Sequence, residues 1–297
     1  MPLTLAAPAK INLGLHVLRK REDGYHDLET VFYRVGWHDT VMLRPSTEIT
    51  MTCSDPSLPT DGDNLCIQAA QRLAEQIDAH KGAKQGEPRG AAIHLEKRVP
   101  YGAGLGGGSS DAAATLRGLL NLWDADVPAD VLHSIGASIG SDVPFFLLDD
   151  APAAYATGRG DNLTPLQANG DPLVIPYAVV VVAPPVEIAT PVAYQHVTPN
   201  ATDRPDVKEI VASLDLGRWR AELRNDFEGP IAAAYPSVAA ARDVLHDYGA
   251  DYVSLSGSGS AVYGIFTSPT QAESAQEAAV HEGYRAHCTL PESERTM

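Results

Sequence analysis

A chain of 297 residues can bury one large or two ordinary hydrophobic cores, and its 44% hydrophobic and 20% charged content is typical of a globular protein. The formal net charge of −16 at pH 7 disfavours non-specific binding to nucleic acid or to anionic membranes. An anionic substrate must therefore meet positive charge at a local site, because the overall field of the protein repels it.

The cysteines and the apolar runs predict an intracellular protein. Cys53, Cys66 and Cys288 lack the spacing of metal ligands and are expected to be reduced thiols. The first residues lack the basic and apolar regions of a signal peptide, and the most apolar run, residues 178–183, is too short to span a bilayer. We therefore expect a cytoplasmic protein that does not act at a membrane.

The first predicted element is a half-buried strand over residues 3–17, because apolar residues alternate with polar ones from Ile11 to Val17. Lys10 and Asn12 lie on the face opposite the apolar one. A lysine on the polar face of a strand is most simply a solvated charge, and contact with a ligand is the alternative.

A hairpin turn is predicted at Asp23-Gly24, with a return strand over residues 28–35. Tyr25 and His26 begin that return. An exposed Tyr-His pair can stack on a flat ring and hydrogen-bond to it, although the pair can also be a packed aromatic beside a surface histidine. The basic residues 19–21 are either solvated charges or a gate for an anion.

Three strands and a helix are predicted before residue 100. The strands cover residues 40–43, 49–53 and 92–99, and the last of them is expected at a sheet edge. Asp63 or Asn64 is expected to cap the helix. Its apolar positions recur every four residues, at Leu65, Ala69, Leu73 and Ile77.

A glycine loop then leads into a second helix. The loop consists of Pro100, Tyr101, Gly102, Ala103, Gly104, Leu105, Gly106, Gly107, Gly108, Ser109 and Ser110. Its glycines permit positive φ and close approach of the backbone to a ligand. The helical pattern over residues 112–120 follows, with Ser109 and Ser110 at the expected N-cap positions. Free N–H groups and the positive end of the helix dipole suit a phosphate.

The glycine loop does not match the commonest nucleotide motifs. It lacks the GK[ST] of a Walker A loop. Gly102, Gly104 and Gly107 satisfy G-x-G-x-x-G, but the loop lies a third of the way along the chain, and the acids after it follow a helix rather than a strand. A flexible linker is disfavoured as well, because the loop runs straight into a helix.

Asp142 is the candidate reactive carboxylate of the next segment. A helix is predicted to begin at Pro128, and Asp142 follows it between Gly140 and an apolar run. The carboxylate either caps the short segment around Phe145 or is a fixed, partly buried group that can accept a proton.

The second half is expected to fold around its own sheet in a βαβ-type pattern. The boundary is placed between residues 157 and 171, where Gly, Asn, Pro and Asp cluster, which gives domains 1–160 and 161–297. Strands are predicted over residues 153–157, 177–183 and 284–290, and residues 254–266 are predicted to be a second Gly/Ser loop that leads into a strand. Helices are predicted from Thr190 and over 206–214, most of 217–248, and 270–283.

Five stretches together resemble the GHMP kinase superfamily, named after galactokinase, homoserine kinase, mevalonate kinase and phosphomevalonate kinase. They are Ala7-Pro8-Ala9-Lys10-Ile11-Asn12-Leu13, Asp23-Gly24-Tyr25-His26, the glycine loop with the Asp111-Ala112-Ala113 that follows it, Gly140-Ser141-Asp142-Val143-Pro144 and Ser256-Gly257-Ser258-Gly259. The Gly-Tyr-His element resembles a motif of one branch of this superfamily, whose members phosphorylate a cytidylyl derivative of methylerythritol.

The resemblance implies an α+β fold of two domains. The N-terminal domain would be an α/β fold like that of a ribosomal protein, the C-terminal domain would be ferredoxin-like, and the active site would lie in the cleft. The implied reaction moves the γ-phosphoryl group of ATP, with Mg²⁺, to the 2-hydroxyl of the methylerythritol unit in non-mevalonate isoprenoid synthesis.

The resemblance also implies roles for residues at matching positions. Lys10 and Asp142 would be catalytic. Asp111 either binds Mg²⁺ or, more simply, is an acid in the first turn of a helix, so no carboxylate is assigned to the metal. Residues 100–110 would bind ATP together with Asn64, Leu65 and Lys97. The substrate would be bound by Asn12, Tyr25, His26, Phe32, Thr190 and Tyr194. Arg159 and Tyr194 stand where a small apolar residue and Phe are expected.

Two alternatives remain at this point. The chain could be another GHMP kinase, of the homoserine or mevalonate type, although such an enzyme has no reason for the Gly-Tyr-His element. It could also be a catalytically silent relative, against which the joint presence of Lys10, Asp142 and the glycine loop argues. The expected partner is a small molecule, without nucleic acid or membrane, and the protein would be a monomer or a homodimer.

Overall fold

The computed structural model describes residues 2–79, 89–149 and 151–291. They form two compact units. The first unit is built from the segments Met1–Ala9, His38–Val99 and Gly106–Asp149, and the second from Lys10–Trp37, Pro100–Leu105 and Asp150–Met297. The units interleave along the chain, and the domains expected at 1–160 and 161–297 stay a prediction.

The strands of the described chain are β1 (Leu3–Lys20), β2 (His26–Ser46), β3 (Ile49–Cys53), β4 (Gly90–Glu96), β5 (Ala153–Gly158), β6 (Asn162–Pro165), β7 (Gln167–Ala168), β8 (Asp171–Pro172), β9 (Ala178–Ala183), β10 (Tyr252–Leu255), β11 (Val262–Phe266) and β12 (Arg285–Thr289). The helices are α1 (Leu65–Ala79), α2 (Gly107–Leu122), α3 (Ala129–Ile139), α4 (Val143–Leu147), α5 (Thr190–Ala193), α6 (Val207–Ala212), α7 (Leu216–Glu222), α8 (Glu228–Ala234), α9 (Pro236–Asp247) and α10 (Pro269–His281). A 3₁₀ turn, Tyr194–His196, follows α5.

In the first unit, the later half of β2 pairs antiparallel with β4, and β4 pairs parallel with β3. The edge position predicted for residues 92–99 is therefore wrong, because β4 has a partner on each side. The cap expected for α1 is Asn64, whose Oδ1 accepts the Cys66 amide at 2.9 Å. The apolar stripe of α1 is buried, as its spacing predicts.

Strand β2 joins two segments that the sequence predicts as separate strands, residues 28–35 and 40–43. Gly36 between them stays in the strand, and its amide donates to Thr289 Oγ1 at 2.8 Å. The alternation of buried positions also continues through this stretch, since Val35, Trp37 and Asp39 are all buried. A glycine therefore does not end the strand here, because its neighbours keep the period of two.

In the second unit, an antiparallel sheet has the order β10-β11-β9-β12. Every residue of β9 is buried, as expected for an apolar strand at the centre of a sheet. Helices α9 and α10 bury apolar side chains in the same core, among them Val238 and Ala275. This strand order, with helices between β9 and β10 and between β11 and β12, confirms the ferredoxin-like arrangement.

In the parts of the chain that the structure describes, no helix has the length and apolar character needed to cross a membrane.

Candidate active site

The second half of the glycine loop forms the start of α2. The helix begins at Gly107 with Gly106 as its N-cap, so the cap predicted at Ser109 or Ser110 is wrong, and both serines lie in the first turn. Gly106 has a φ of 66°, which glycine adopts without a steric cost. A glycine cap has no side chain to accept the first amides of the helix, which leaves them for a ligand.

Close packing explains the absence of a side chain at Gly107. A Cβ on Gly107 would lie 3.1 Å from Lys97 Nζ, and a Cβ on Gly108 would lie 3.6 Å from Leu65 Cδ1. The first distance is tighter than an ordinary contact, so Gly107 leaves room for Lys97. The packing also brings Leu65 and Lys97, two residues of the expected nucleotide set, to the start of α2.

Beneath this turn, Lys97 bridges two buried carboxylates. Its Nζ donates to Asp39 Oδ2 at 2.6 Å and to Asp111 Oδ2 at 2.7 Å. Asp39 Oδ1 also accepts the amides of Arg98 and Val99 at 2.5 and 2.7 Å. The side chains of this triad, Lys97, Asp39 and Asp111, are 0–3% exposed. Sequence reasoning missed Asp39, because a polar residue within a strand carries no local signal of a partner 58 residues away.

The triad holds two negative groups on one positive group. Burial would lower the pKa of Lys97, but Asp111 and Asp39 raise it, so the lysine is charged. Burial, opposed by Lys97, raises the pKa of Asp111 to about 7. Burial thus disfavours the charged form of Asp111, and the ion pair of its Oδ2 with Lys97 partly offsets this cost.

Asp142 is the N-cap of α4, but its side chain makes no capping hydrogen bond to that helix. The helix is instead begun by the main chain, with the Phe145 amide donating to the Asp142 carbonyl at 3.2 Å. The prediction that the Asp142 carboxylate caps this helix is therefore wrong. Gly140 lies near α2, where a Cβ would make an ordinary contact with Ser109 Oγ at 3.4 Å.

In the second unit, Lys10 is buried rather than solvated, with 4% of its surface exposed. Its Nζ donates to Asn12 Oδ1 at 2.7 Å and to the Gly104 carbonyl at 3.1 Å. It also lies 5.0 Å from the centroid of the Phe32 ring. The interpretation of Lys10 as a solvated charge is therefore wrong, because the strand face that carries it is covered.

Asn12 extends this network. Its Nδ2 donates to Thr30 Oγ1 at 3.0 Å, and Thr30 Oγ1 in turn donates to the Gly14 carbonyl at 2.5 Å. The hydroxyl of Tyr263 donates to the Asn12 carbonyl at 2.9 Å. Asn12 and Thr30 are both buried, so the amide that orients Lys10 is itself held in one position.

The second Gly/Ser loop, residues 256–261, packs on the first half of the glycine loop. Ser256 Oγ donates to the Gly104 carbonyl at 2.9 Å, and the Ala261 amide donates to the Ala103 carbonyl at 3.0 Å. A Cβ on Gly104 would lie 2.3 Å from the Ser256 carbonyl oxygen, so only glycine fits there. Asn225, which sequence reasoning missed, donates to the carbonyls of Leu255 and Gly257 at 2.8 and 2.9 Å.

The hairpin between β1 and β2 presents two rings. Tyr25 is 57% exposed. His26 stacks on Tyr194, with ring centroids 4.1 Å apart and an angle of 8° between the planes. Thr190, at the start of α5, is exposed. The two rings of the stack are in direct contact, so a flat ligand has no room between them in this arrangement.

The basic cluster beside the hairpin is neutralised by carboxylates. Arg19 Nε lies 2.5 Å from Asp27 Oδ2, and Arg21 lies 2.8 Å from Asp27 Oδ1 and 3.0 Å from Asp23 Oδ2. These pairs stabilise the turn, and they argue against an open gate for anions at Arg19 and Arg21.

Comparisons with known proteins agree with this arrangement of motifs. The model of the GHMP kinases N-terminal domain matches residues 64–150, and that of the GHMP kinases C-terminal domain matches residues 207–286. The chain is 56% identical to a 4-diphosphocytidyl-2-C-methyl-D-erythritol kinase of Salinibacter ruber, over 97% of this chain and 98% of the relative. It is 44% identical to the enzyme of the same name from Chlorobium luteolum, over 93% and 92% of the two chains.

Solved structures give the same result. A crystal structure of 4-(cytidine 5'-diphospho)-2C-methyl-D-erythritol kinase matches with a TM-score of 0.77 and 36% identity, over 97% of this chain and 98% of that one. A homoserine kinase from Cytophaga hutchinsonii matches with a TM-score of 0.69 and 17% identity, over 96% and 94%, which shows the shared fold. The chain therefore belongs to the GHMP kinases, a family of ATP-dependent small-molecule kinases, and within it to the 4-diphosphocytidyl-2-C-methyl-D-erythritol kinases.

Proposed function

We propose that the chain transfers the γ-phosphoryl group of ATP to the 2-hydroxyl of 4-diphosphocytidyl-2-C-methyl-D-erythritol, a step of non-mevalonate isoprenoid synthesis. The observation that carries this proposal is the 56% identity, over 97% of the chain, to a relative named for that substrate. The exposed ring of Tyr25 and the ring of His26 support it, because the cytosine of the substrate can stack on an exposed aromatic face and hydrogen-bond to an imidazole.

The ATP phosphates would be bound by residues 100–110. The first turn of α2 supplies amides and the positive end of a helix dipole, which stabilise an anion without a lysine in the loop. Asn64, Leu65 and Lys97 would lie on the nucleoside side. The side chain of Lys97 is already held by Asp39 and Asp111, so we propose that Lys97 supports the loop and offers its backbone to the nucleotide.

Asp142 would accept the proton of the substrate hydroxyl. A carboxylate is a weak base, which suffices when the transition state is loose and the proton leaves late. Lys10 would stabilise the negative charge on the transferring phosphoryl group. Asn12 orients the Lys10 ammonium through the 2.7 Å hydrogen bond, which lowers the cost of organising that charge during the reaction.

A magnesium ion would accompany the ATP. Among the described residues, no group of three or more His, Cys, Asp and Glu side chains is arranged to hold a metal. Lys97 donates to Asp111 Oδ2, while the buried Ser110 Oγ and Asp111 Oδ1 have no hydrogen-bond partner in the described chain. These features fit an ion held mainly by phosphate oxygens and water, with Ser110 as the protein oxygen we propose. When bound, the ion would neutralise phosphate charge.

The cytosine would stack on the exposed face of Tyr25 and hydrogen-bond to His26. Tyr194 packs on His26 and would hold its ring plane, while Thr190 at the start of α5 would complete the polar rim. Phe32 is 3% exposed and would act through Lys10, whose ammonium lies over its ring. The contacts with the cytidylyl part lie far from the reacting hydroxyl. Their binding energy would hold the small sugar alcohol in position for the transfer.

The direct test is product formation. Purified enzyme, ATP and Mg²⁺ are incubated separately with the cytidylyl substrate, free methylerythritol, homoserine and mevalonate, and the phosphorylated products are measured by mass spectrometry. We expect turnover of the cytidylyl substrate alone. Turnover of homoserine or mevalonate in its place would make the chain a different GHMP kinase, and the absence of any product would support a silent relative.

The proposal predicts a pH effect at His26. Burial and the charge of Lys20 lower its pKa below the ordinary 6.5, so the ring is neutral at pH 7 and offers one donor and one acceptor. We expect the KM for the cytidylyl substrate to be constant above pH 6.5 and to rise as acid converts the ring to a double donor. His26→Gln, which does not titrate, should remove this rise. An unchanged acid limb in His26→Gln would show that another group is responsible.

The wider setting of the enzyme follows from the substrate. We propose that it acts in the cytoplasm on a small molecule, as a monomer or a homodimer, without a nucleic-acid partner. The net charge of −16 supports the last point, because it repels a polyanion.

A further inference from the structure

Arg159, in the turn between β5 and β6, contacts the ring of Tyr25. Its guanidinium carbon lies 5.1 Å from the ring centroid, within the range of cation–π contacts. The strand register explains this contact, because Leu28 of β2 pairs with Gly158 of β5. The residue after Gly158 is therefore carried to the level at which β2 begins.

Asp161 fixes the orientation of the Arg159 guanidinium. Its Oδ2 accepts from Nε at 3.0 Å and from Nη2 at 2.7 Å, and its Oδ1 accepts the Arg159 amide at 3.3 Å. A carboxylate bound at the edge of a guanidinium leaves the flat face for an aromatic ring. The turn thus presents a cation in one defined plane.

The backbone of Tyr25 is held, whereas its ring projects outward. The Tyr25 amide donates to Asp23 Oδ1 at 3.1 Å, and its carbonyl accepts the Arg21 amide at 2.8 Å. With 57% of its surface exposed, the ring would sample several rotamers without a further contact, and ordering it on binding would reduce affinity. Arg159 is the charged side chain that the structure places against that ring.

We propose that Arg159 is a positioning residue, which holds the Tyr25 ring so that its opposite face is ready to stack on the cytosine of the substrate. This inference rests on the proposed function, since it needs Tyr25 to be the base platform. Arg159 acts before the chemical step and on one substrate only. Its removal therefore affects the affinity for the cytidylyl substrate, while the ATP side and the transfer step are unchanged.

The first test is a split of kinetic constants. Arg159→Gln should raise the KM for the cytidylyl substrate about 2- to 5-fold, the scale of an exposed cation–π contact, with kcat and the KM for ATP unchanged. Arg159→Lys, which keeps a cation, should restore part of the loss. The matched control is Arg218→Gln, which removes an exposed arginine paired with Glu222 on α7 and should leave all constants unchanged. Equal losses in kcat would overturn the inference.

The second test is a double-mutant cycle with Tyr25→Leu. We expect Arg159→Gln to raise the KM in the wild-type background and to have no further effect once Tyr25 is replaced. Additive effects would show that Arg159 acts independently of Tyr25 and would overturn this inference, while leaving the proposed function intact. If the wild-type enzyme does not phosphorylate the cytidylyl substrate at all, the proposed function itself falls.

Discussion

Asp142→Asn is expected to reduce kcat by at least ~10²-fold, the lower scale of a positioned acid–base group, with the protein still folded. Asparagine has the shape of aspartate but cannot accept a proton. The carboxylate makes no capping hydrogen bond to α4, so the substitution removes no cap from that helix. The measurements are steady-state turnover of the cytidylyl substrate and thermal unfolding of both proteins.

Asp149→Asn provides a matched control for Asp142→Asn. Asp149 lies just beyond the other end of α4, where its carboxylate is 85% exposed and 2.8 Å from Arg117. The same chemical change there should leave turnover within a factor of two. If Asp142→Asn retains near-native turnover, Asp142 is removed from the mechanism. If it unfolds the protein, the role of the carboxylate is structural.

Lys97→Met should reduce the free energy of unfolding by about 3–5 kcal/mol, the usual cost of leaving buried charges without their partner. Two carboxylates, those of Asp39 and Asp111, would remain buried near each other without the ammonium that bridges them at 2.6 and 2.7 Å. The triad supports the first turn of α2, so we also expect the KM for ATP to rise in any variant that still folds. Urea unfolding at pH 7 measures the stability.

The triad has two carboxylates for one ammonium, so substitutions at its members should differ in their cost to stability. Asp111→Asn removes the second negative charge on one ammonium and should therefore cost much less than Lys97→Met. The control is Arg98→Met, on the neighbouring residue, where the ion pair with Glu96 is exposed and is worth at most about 1 kcal/mol. Equal costs for Lys97→Met and Arg98→Met would show that the buried pairs contribute nothing specific.

The pH dependence of unfolding provides a second readout of the triad. Because the pKa of Asp111 is raised to about 7 in the folded protein, its contribution to stability is complete below the unfolded pKa and is lost as the pH rises through 7. The wild-type protein should therefore lose stability relative to Asp111→Asn between about pH 4 and pH 7. Parallel stability profiles for the two proteins would contradict the raised pKa.

Local patterns predicted elements whose signal lies within a few residues. The apolar spacing of α1, the buried strand β9 and the hairpin turn at Asp23-Gly24 are all confirmed, because helix period, strand period and turn chemistry act over short distances. Element boundaries were less accurate. The helix α2 starts at Gly107 rather than after Ser109, since Gly106 adopts the left-handed conformation that the serine-cap rule does not consider.

Local sequence patterns do not predict contacts between residues that lie far apart in the chain. Asp39 gives no sign that it will meet Lys97, and Asn225 gives none that it will hold the loop at Gly257. Alternation shows which residues of β1 share a face, but not what covers that face, so it does not predict the burial of Lys10. The roles assigned to individual site residues stay predictions that the variants above address.

The sequence alone determined the family and, through that resemblance, the ferredoxin-like half, because the order and the residues of the motifs are properties of the chain itself. Phosphate binding by the glycine loop stays a prediction. Only the tertiary structure decided that Lys10 is buried and oriented by Asn12, that Lys97 turns inward to two carboxylates, and that Arg159 lies on Tyr25. Each of these depends on which segments the fold brings together, and burial then determines the charge and the direction of the side chain.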